Sequence, residues 1–183
     1  MLFRSQYLIV LILTIIFGYI AIPPTDAVYT TLSIDGYRGY YNSAWFGAIG
    51  GVWLSMFLSF FGFFVIKNAI LIDEQNKMGE IIASTQVSNI EYAWGKMLSN
   101  FIILLSIVVI FNISLILMYF IRSEPSVFNP WLIFAPSLLI SLPTMMIISA
   151  LGVIFEIIPF LKKGFGNILY FIIWMVFLII SIE

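Results

Sequence analysis

Long apolar stretches without charge alternate with short polar ones along this chain. Five stretches contain no Asp, Glu, Lys or Arg: residues 5–22, 44–66, 97–121, 131–155 and 165–182. A helix needs roughly 20 mostly apolar residues to cross the ~30 Å hydrocarbon layer of a bilayer, and each stretch is near or above that length. The pattern predicts an all-α polytopic bundle of about five transmembrane helices, a single membrane domain over residues 1–183. The first and last stretches are the shortest. The first follows Arg4, as a secretory signal core does. Such cores run to about 7–15 residues, however, and Pro23-Pro24 follows this one in place of a small-residue cleavage site.

Composition agrees with a membrane location. Hydrophobic residues make up 62% of the chain and charged residues 9%, against roughly half and a quarter in soluble domains. The net charge of -1 leaves no basic face for nucleic acid. Cys and His are both absent, which excludes disulfides and thiolate metal sites. The nine carboxylates fall mostly near predicted membrane boundaries, so no metal, cofactor or acid–base catalyst is expected.

Lys and Arg in short loops set orientation. Arg4, Lys67, Lys77, Lys96, Lys162 and Lys163 fall on one side, and only Arg38 and Arg122 on the other. The N-terminus and loops 67–96 and 156–164 are therefore expected in the cytoplasm, with loops 23–43 and 122–130 outside. Glu183 follows directly on an apolar run and falls outside, which suggests an incomplete chain.

Several polar features stand out. The outer loop carries Tyr29, Tyr37, Tyr40 and Tyr41 ahead of Trp45, which reads as an interfacial aromatic belt or as a surface for substrate or partner. The second span holds Gly47, Gly51, Ser55 and Ser59 at four-residue steps. Such a stripe lets another backbone approach closely, either within the chain or between subunits. Asn112 and Ser114 in the third span suit bonds to a neighbouring helix. Pro136 and Pro143 should kink the fourth span, and Glu156 near its inner end suits an ion pair with Lys162 or Lys163.

Residues 67–96 form the longest polar segment. The second helix is expected to run on to about Lys77, with a break at Gly79. A short amphipathic piece follows, Glu80-Ile81-Ile82-Ala83-Ser84-Thr85. Ser88 and Glu91 have capping-box spacing, flanked by Val87 and Tyr92 as a hydrophobic staple, so a helix should begin near Asn89. Val87, Ile90, Trp94, Met97 and Phe101 share one apolar face. The residues alone fit either an interfacial re-entry that caps the bundle or a docking element for a cytoplasmic partner.

The runs Met78-Gly79-Glu80-Ile81-Ile82-Ala83-Ser84-Thr85-Gln86-Val87-Ser88 and Tyr92-Ala93-Trp94-Gly95-Lys96-Met97-Leu98-Ser99-Asn100 resemble the ABC-2 type permeases of ATP-binding-cassette transporters. Those proteins carry a Gly–Glu pair, a short helix, a Pro–Val–Ser-like turn and Tyr-x-x-Gly-Lys between their second and third spans. Looser matches are Arg38-Gly39-Tyr40-Tyr41-Asn42, Ala135-Pro136, Leu142-Pro143 and residues 160–167. Gln86 stands where the family has proline, and five spans are one fewer than its usual six.

The resemblance implies a permease subunit in the cytoplasmic membrane, with a coupling helix between the second and third spans. Gly79, Glu80, Ile81, Ile82, Ala83, Ser84, Gln86, Val87 and Ser88 would contact a separate cytoplasmic ABC ATPase. The chain has no Gly-x-x-x-x-Gly-Lys-Ser/Thr sequence of its own. It implies as further partners membrane lipid and a second permease half or a homo-oligomer, with no nucleic acid. The alternative is a non-transporting membrane scaffold, immunity factor or assembly protein. A membrane enzyme is disfavoured by the lack of His and Cys.

Overall fold

The structure, a computed structural model, describes residues 5–67, 88–162 and 164–182. Five helices account for most of them: α1 Ser5–Ala21, α2 Ser43–Ile66, α3 Asn89–Arg122, α4 Pro130–Ile157 and α5 Gly164–Ile182. The fold is an all-α helical bundle. At 1.5 Å per residue, the 24, 34 and 28 residues of α2, α3 and α4 span about 36, 51 and 42 Å. All three exceed the ~30 Å of hydrocarbon, and their exposed side chains are largely apolar. The chain is an integral membrane protein. The 17 residues of α1 and the 19 of α5 reach about 26 and 29 Å.

Two elements differ from the sequence expectation. The second helix does not run on to Lys77: it ends at Ile66, and Lys67 leaves it with ψ 149°. Lys67 is itself buried, its ammonium turned onto Asn167 of α5. The outer loop also contains an antiparallel hairpin, β1 Ser33–Ile34 with β2 Tyr37–Arg38. Asp35 and Gly36 between them both have positive φ, 51° and 80°, the backbone a two-residue type I′ turn requires and Asp-Gly supplies. By contrast, α3 begins at Asn89 with the expected capping box. Ser88 N–H donates to Glu91 Oε2 at 2.8 Å, and Glu91 N–H donates to Ser88 Oγ at 3.3 Å.

The chain divides into two compact units, Met1–Phe57 with Leu105–Thr144, and Leu58–Leu104 with Met145–Glu183. In the first, α2 lies against α4 through its glycines. Pro136 has no N–H to donate to the Leu132 carbonyl, and Gly47 sits against that oxygen: a Cβ built on Gly47 would be 2.4 Å from it. Gly51 lies against Ile140 and the Pro136 carbonyl, and Ser55 Oγ lies 3.3 Å from the Ile140 carbonyl. Phe17 of α1 packs among Trp53, Phe57 and Phe111. Asn112 donates to the Val108 carbonyl at 2.9 Å and accepts from Ser137 Oγ at 2.6 Å, so this buried amide has a partner at each end.

In the second unit, α2 passes through a π turn at Leu58–Gly62. A π turn inserts a residue, so some carbonyls lose their usual i+4 donor. Here the Tyr170 hydroxyl of α5 donates to the Ser59 carbonyl, and Trp174 Nε1 donates to Ser59 Oγ at 3.0 Å. The Phe63 and Tyr170 rings stack at 3.7 Å. Gly62 admits Leu104 of α3.

Gly47→Ala should destabilise the protein by about 1–3 kcal/mol, because the methyl group meets backbone that cannot move aside. At roughly 2–4 °C per kcal/mol, a thermal melt in detergent followed by helical circular dichroism resolves this. Gly51→Ala should be milder, since its nearest neighbour is the movable Ile140 Cδ1 at 2.8 Å. An equal or smaller loss at Gly47 would refute the close α2–α4 contact.

Candidate functional site

Of the expected partner-contact residues, Gly79, Glu80, Ile81, Ile82, Ala83, Ser84, Gln86 and Val87 lie outside the described residues. Ser88 is described. It is exposed and caps α3, with Glu91 Oε2 also 2.9 Å from its hydroxyl. The helix it starts exposes Ile90, Trp94 and Leu98 on one face, while Met97 and Phe101 are half-buried. The stripe residues part company. Gly47, Gly51 and Ser55 face α4 in the first unit, whereas Ser59, inside the π turn, bonds α5 in the second.

Sequence reasoning missed a buried polar cluster in the second unit. Lys67, Asn100 and Glu156 are 4%, 1% and 2% exposed, and they come from the end of α2, from α3 and from α4. The Lys67 ammonium lies in the field of the Glu156 carboxylate, donates to Asn167 Oδ1 and sits 5.7 Å from the Phe63 ring centroid. Gly166 makes room for it. A Cβ there would meet both Lys67 Nζ, at 2.9 Å, and the Leu161 carbonyl, at 2.0 Å. Asn100 lies against Gly152 and Ile66. Ionisable groups buried at membrane depth are functional candidates by default.

A second set of polar contacts ties the outer-loop segment 38–43 to residues 124–129 within the first unit. Glu124 holds it together. Its Oε1 accepts from Arg38 Nη2 at 2.8 Å, its Oε2 accepts from Tyr41 N–H at 2.7 Å, and its own N–H donates to the Tyr41 carbonyl at 3.0 Å. The Tyr40 hydroxyl donates to the Pro125 carbonyl at 2.6 Å, and Ser43 Oγ accepts from Asn129 N–H at 3.0 Å. Arg38 also covers the Tyr41 ring, 4.6 Å from its centroid. Tyr41 is therefore a core residue, 1% exposed, and burial pushes its phenol pKa up. Tyr29, Tyr37 and Tyr40 stay exposed. Arg122, expected only as an outer charge, donates to the Tyr19 and Ile22 carbonyls at the end of α1.

No family model, no curated protein and no solved structure matches this chain. Fold and site define it as an all-α integral membrane protein with two buried or half-buried polar clusters. Among the described residues, no group of three His, Cys, Asp or Glu could hold a metal ion.

The hydrogen bonds from Tyr41 N–H and Arg38 hold the Glu124 carboxyl below its ordinary pKa. A carboxyl depressed on folding contributes stability that is present above its unfolded pKa of about 4.3 and is lost as pH falls through the folded value. The pair is partly exposed, so its contribution is modest, about 0.5–1 kcal/mol. The protection factor of the Tyr41 amide, its exchange relative to the unfolded chain at the same pH, should fall a few-fold below pH ~4, and Glu124→Gln should abolish that acid dependence. A Tyr41 amide whose exchange responds to acid equally in both proteins would exclude Glu124 as the titrating group.

Proposed function

We propose that this chain is a membrane-spanning subunit of an ABC-2 type permease, moving its substrate with ATP hydrolysed by a separate cytoplasmic subunit. The observation that carries the reading is the Gly79-Glu80 to Gly95-Lys96 block between the second and third apolar helices. Support comes from where that block leads. The capping box at Ser88 and Glu91 starts α3 at once, and α3 then continues unbroken for 34 residues. A push on residues 79–88 by a partner would pass into a helix rather than dissipate in a slack linker, and helix displacement of this kind switches access in many membrane proteins. All five helices cross the cytoplasmic membrane in this reading, with the N-terminus and residues 67–96 inside, following the distribution of Lys and Arg.

Topology is tested with single cysteines in a chain that has none of its own. On intact cells an impermeant thiol reagent should label Ser33→Cys and spare Ser84→Cys; the reverse would overturn the orientation. The partner contact is tested at Ile82. A few buried apolar side chains carry most interface energy, each worth about 2 kcal/mol or more, so Ile82→Asp should weaken capture of the ATPase by ~30-fold or more while the protein still inserts. Wild-type capture together with wild-type stimulation of ATP hydrolysis would sink the assignment and leave a non-transporting membrane scaffold as the better reading.

A further inference from the structure

The first turns of α3 are exposed along two adjoining rows of opposite character. Ile90, Trp94 and Leu98, at four-residue steps, are 72%, 65% and 61% exposed. Glu91, Gly95 and Ser99 are exposed as well, each one residue further on and so about 100° round the helix. Met97 is half-buried and Asn100 buried, and both turn inward. All of these residues belong to the second unit. Around a helix that stands upright in a bilayer, neighbouring exposed residues lie at one depth and meet one medium. An apolar row beside a charged and small-polar row is instead the pattern of a helix with lipid along one flank and water along the other.

Length and continuity agree. The 34 residues of α3 reach about 51 Å, more than the ~40–45 Å of a whole bilayer with its headgroups. The apolar row runs on into Ile102 and, further along the same helix, into the exposed Val109, Ile113 and Leu117, which lie within the apolar stretch 97–121 and face lipid. That stretch ends at Ile121, with Arg122 next, so Ile121 marks the outer edge of the hydrocarbon. Measured from there, an upright α3 would hold Leu98, Trp94 and Ile90 about 5, 11 and 17 Å beyond the inner edge of the hydrocarbon. Three large apolar side chains would then stand in or near water, which is unfavourable. A tilt of about 35°, inside the range that membrane helices adopt, draws Leu98 into the hydrocarbon. It brings Trp94 to about 3 Å from the edge, the level that an indole favours, and Ile90 among the headgroups.

We propose that α3 is inclined in the membrane and that its first turns form a lipid-docking face. Ile90, Trp94 and Leu98 lie against the headgroup–acyl boundary of the bilayer, and Glu91, Gly95 and Ser99 turn to the aqueous side. The occupant is phospholipid, held by apolar contact without selection of a headgroup. A soluble protein on the same face would leave the three side chains in water whenever it was absent, whereas lipid already covers the row into which they run. The inference does not depend on the transport reading.

The experiment uses the full chain in phosphatidylcholine–phosphatidylglycerol vesicles. The protein has no cysteine of its own, so Trp94→Cys, Gly95→Cys, Leu98→Cys and Ser99→Cys each carry one nitroxide label. All four positions are exposed, and a side chain at Gly95 meets open space. Power-saturation electron paramagnetic resonance reads collisions with oxygen, which concentrates in lipid, and with a neutral nickel chelate, which stays in water. The oxygen-to-nickel ratio should be a few-fold higher at 94 than at 95, and at 98 than at 99. A second measurement keeps the native indole: brominated phosphatidylcholine should quench the part of the fluorescence that Trp94→Phe removes. Equal ratios within each neighbouring pair would show an upright helix and overturn the proposal. Nickel-dominated labels at 94 and 98 would place the face in water, and labels shielded from both reagents would show protein covering it. Either result overturns the lipid assignment, as does a Trp94 fluorescence that brominated lipid leaves unquenched.

Discussion

In hydrocarbon there is no water to accept a stray hydrogen bond, so every backbone carbonyl that a helix leaves unbonded must be met from within the protein. Three such places organise this molecule. The last carbonyls of α1 are met by Arg122, which also stacks on Tyr19 at 4.1 Å, and by Thr31, whose hydroxyl donates to the Ala21 carbonyl at 2.6 Å. The Leu132 carbonyl, deprived of a donor by Pro136, is covered by Gly47, an approach close enough for the weak Cα–H···O contact that recurs between membrane helices. The Ser59 carbonyl in the π turn is met by Tyr170. Each irregularity in one helix thus fixes which neighbour can pack there and which residue type the neighbour presents.

The same constraint explains why small and aromatic residues divide the work. Where α2 meets α4 the contact needs bare backbone, and glycine provides it at Gly47 and Gly51. Where α2 meets α5 a hydroxyl and an indole reach across, and rings fill the wider gap: Phe60 lies 4.6 Å from Trp174 and Phe63 stacks on Tyr170. Without a hydrophobic drive between helices in lipid, contact of this kind is what holds them together.

How much of this the sequence carries depends on the range of the interaction. The apolar stretches set the five helices, and the capping box set the start of α3, because both are local patterns with a fixed period or spacing. The hairpin was equally local. Asp35-Gly36 is a strong turn signal between short segments, although the tyrosines around it dominate the loop's composition. The end of α2 at Ile66 is not marked by a Gly or Pro, and Lys67, which leaves the helix there, meets Asn167 a hundred residues away. The roles of Tyr41, Arg122 and Asn100 are likewise set by partners, or by the lack of them, far along the chain. A regular four-residue stripe suggested one face for Gly47 to Ser59, but the π turn at Leu58–Gly62 re-aims the last member, and no sequence period reveals a π turn.

Among the described residues, buried polar groups without a partner occur in both units, at Arg38 Nη1, Trp45 Nε1 and Trp53 Nε1 in the first and at the Asn100 amide in the second, and bonded networks stand beside them. In the first, Glu124 alone accepts two hydrogen bonds and donates a third, and Asn112 is satisfied at both ends. Networks closed in this way rigidify the structure around them. In the second, Lys67 and Glu156 are buried in the same cluster as Asn100, whose amide has no hydrogen-bond partner among the described residues. Local opening draws on the least satisfied parts of a fold. Opening at Asn100 would bring hydrogen-bonding groups to its bare amide, whereas opening at Glu124 would break the bonds that tie residues 38–43 to residues 124–129.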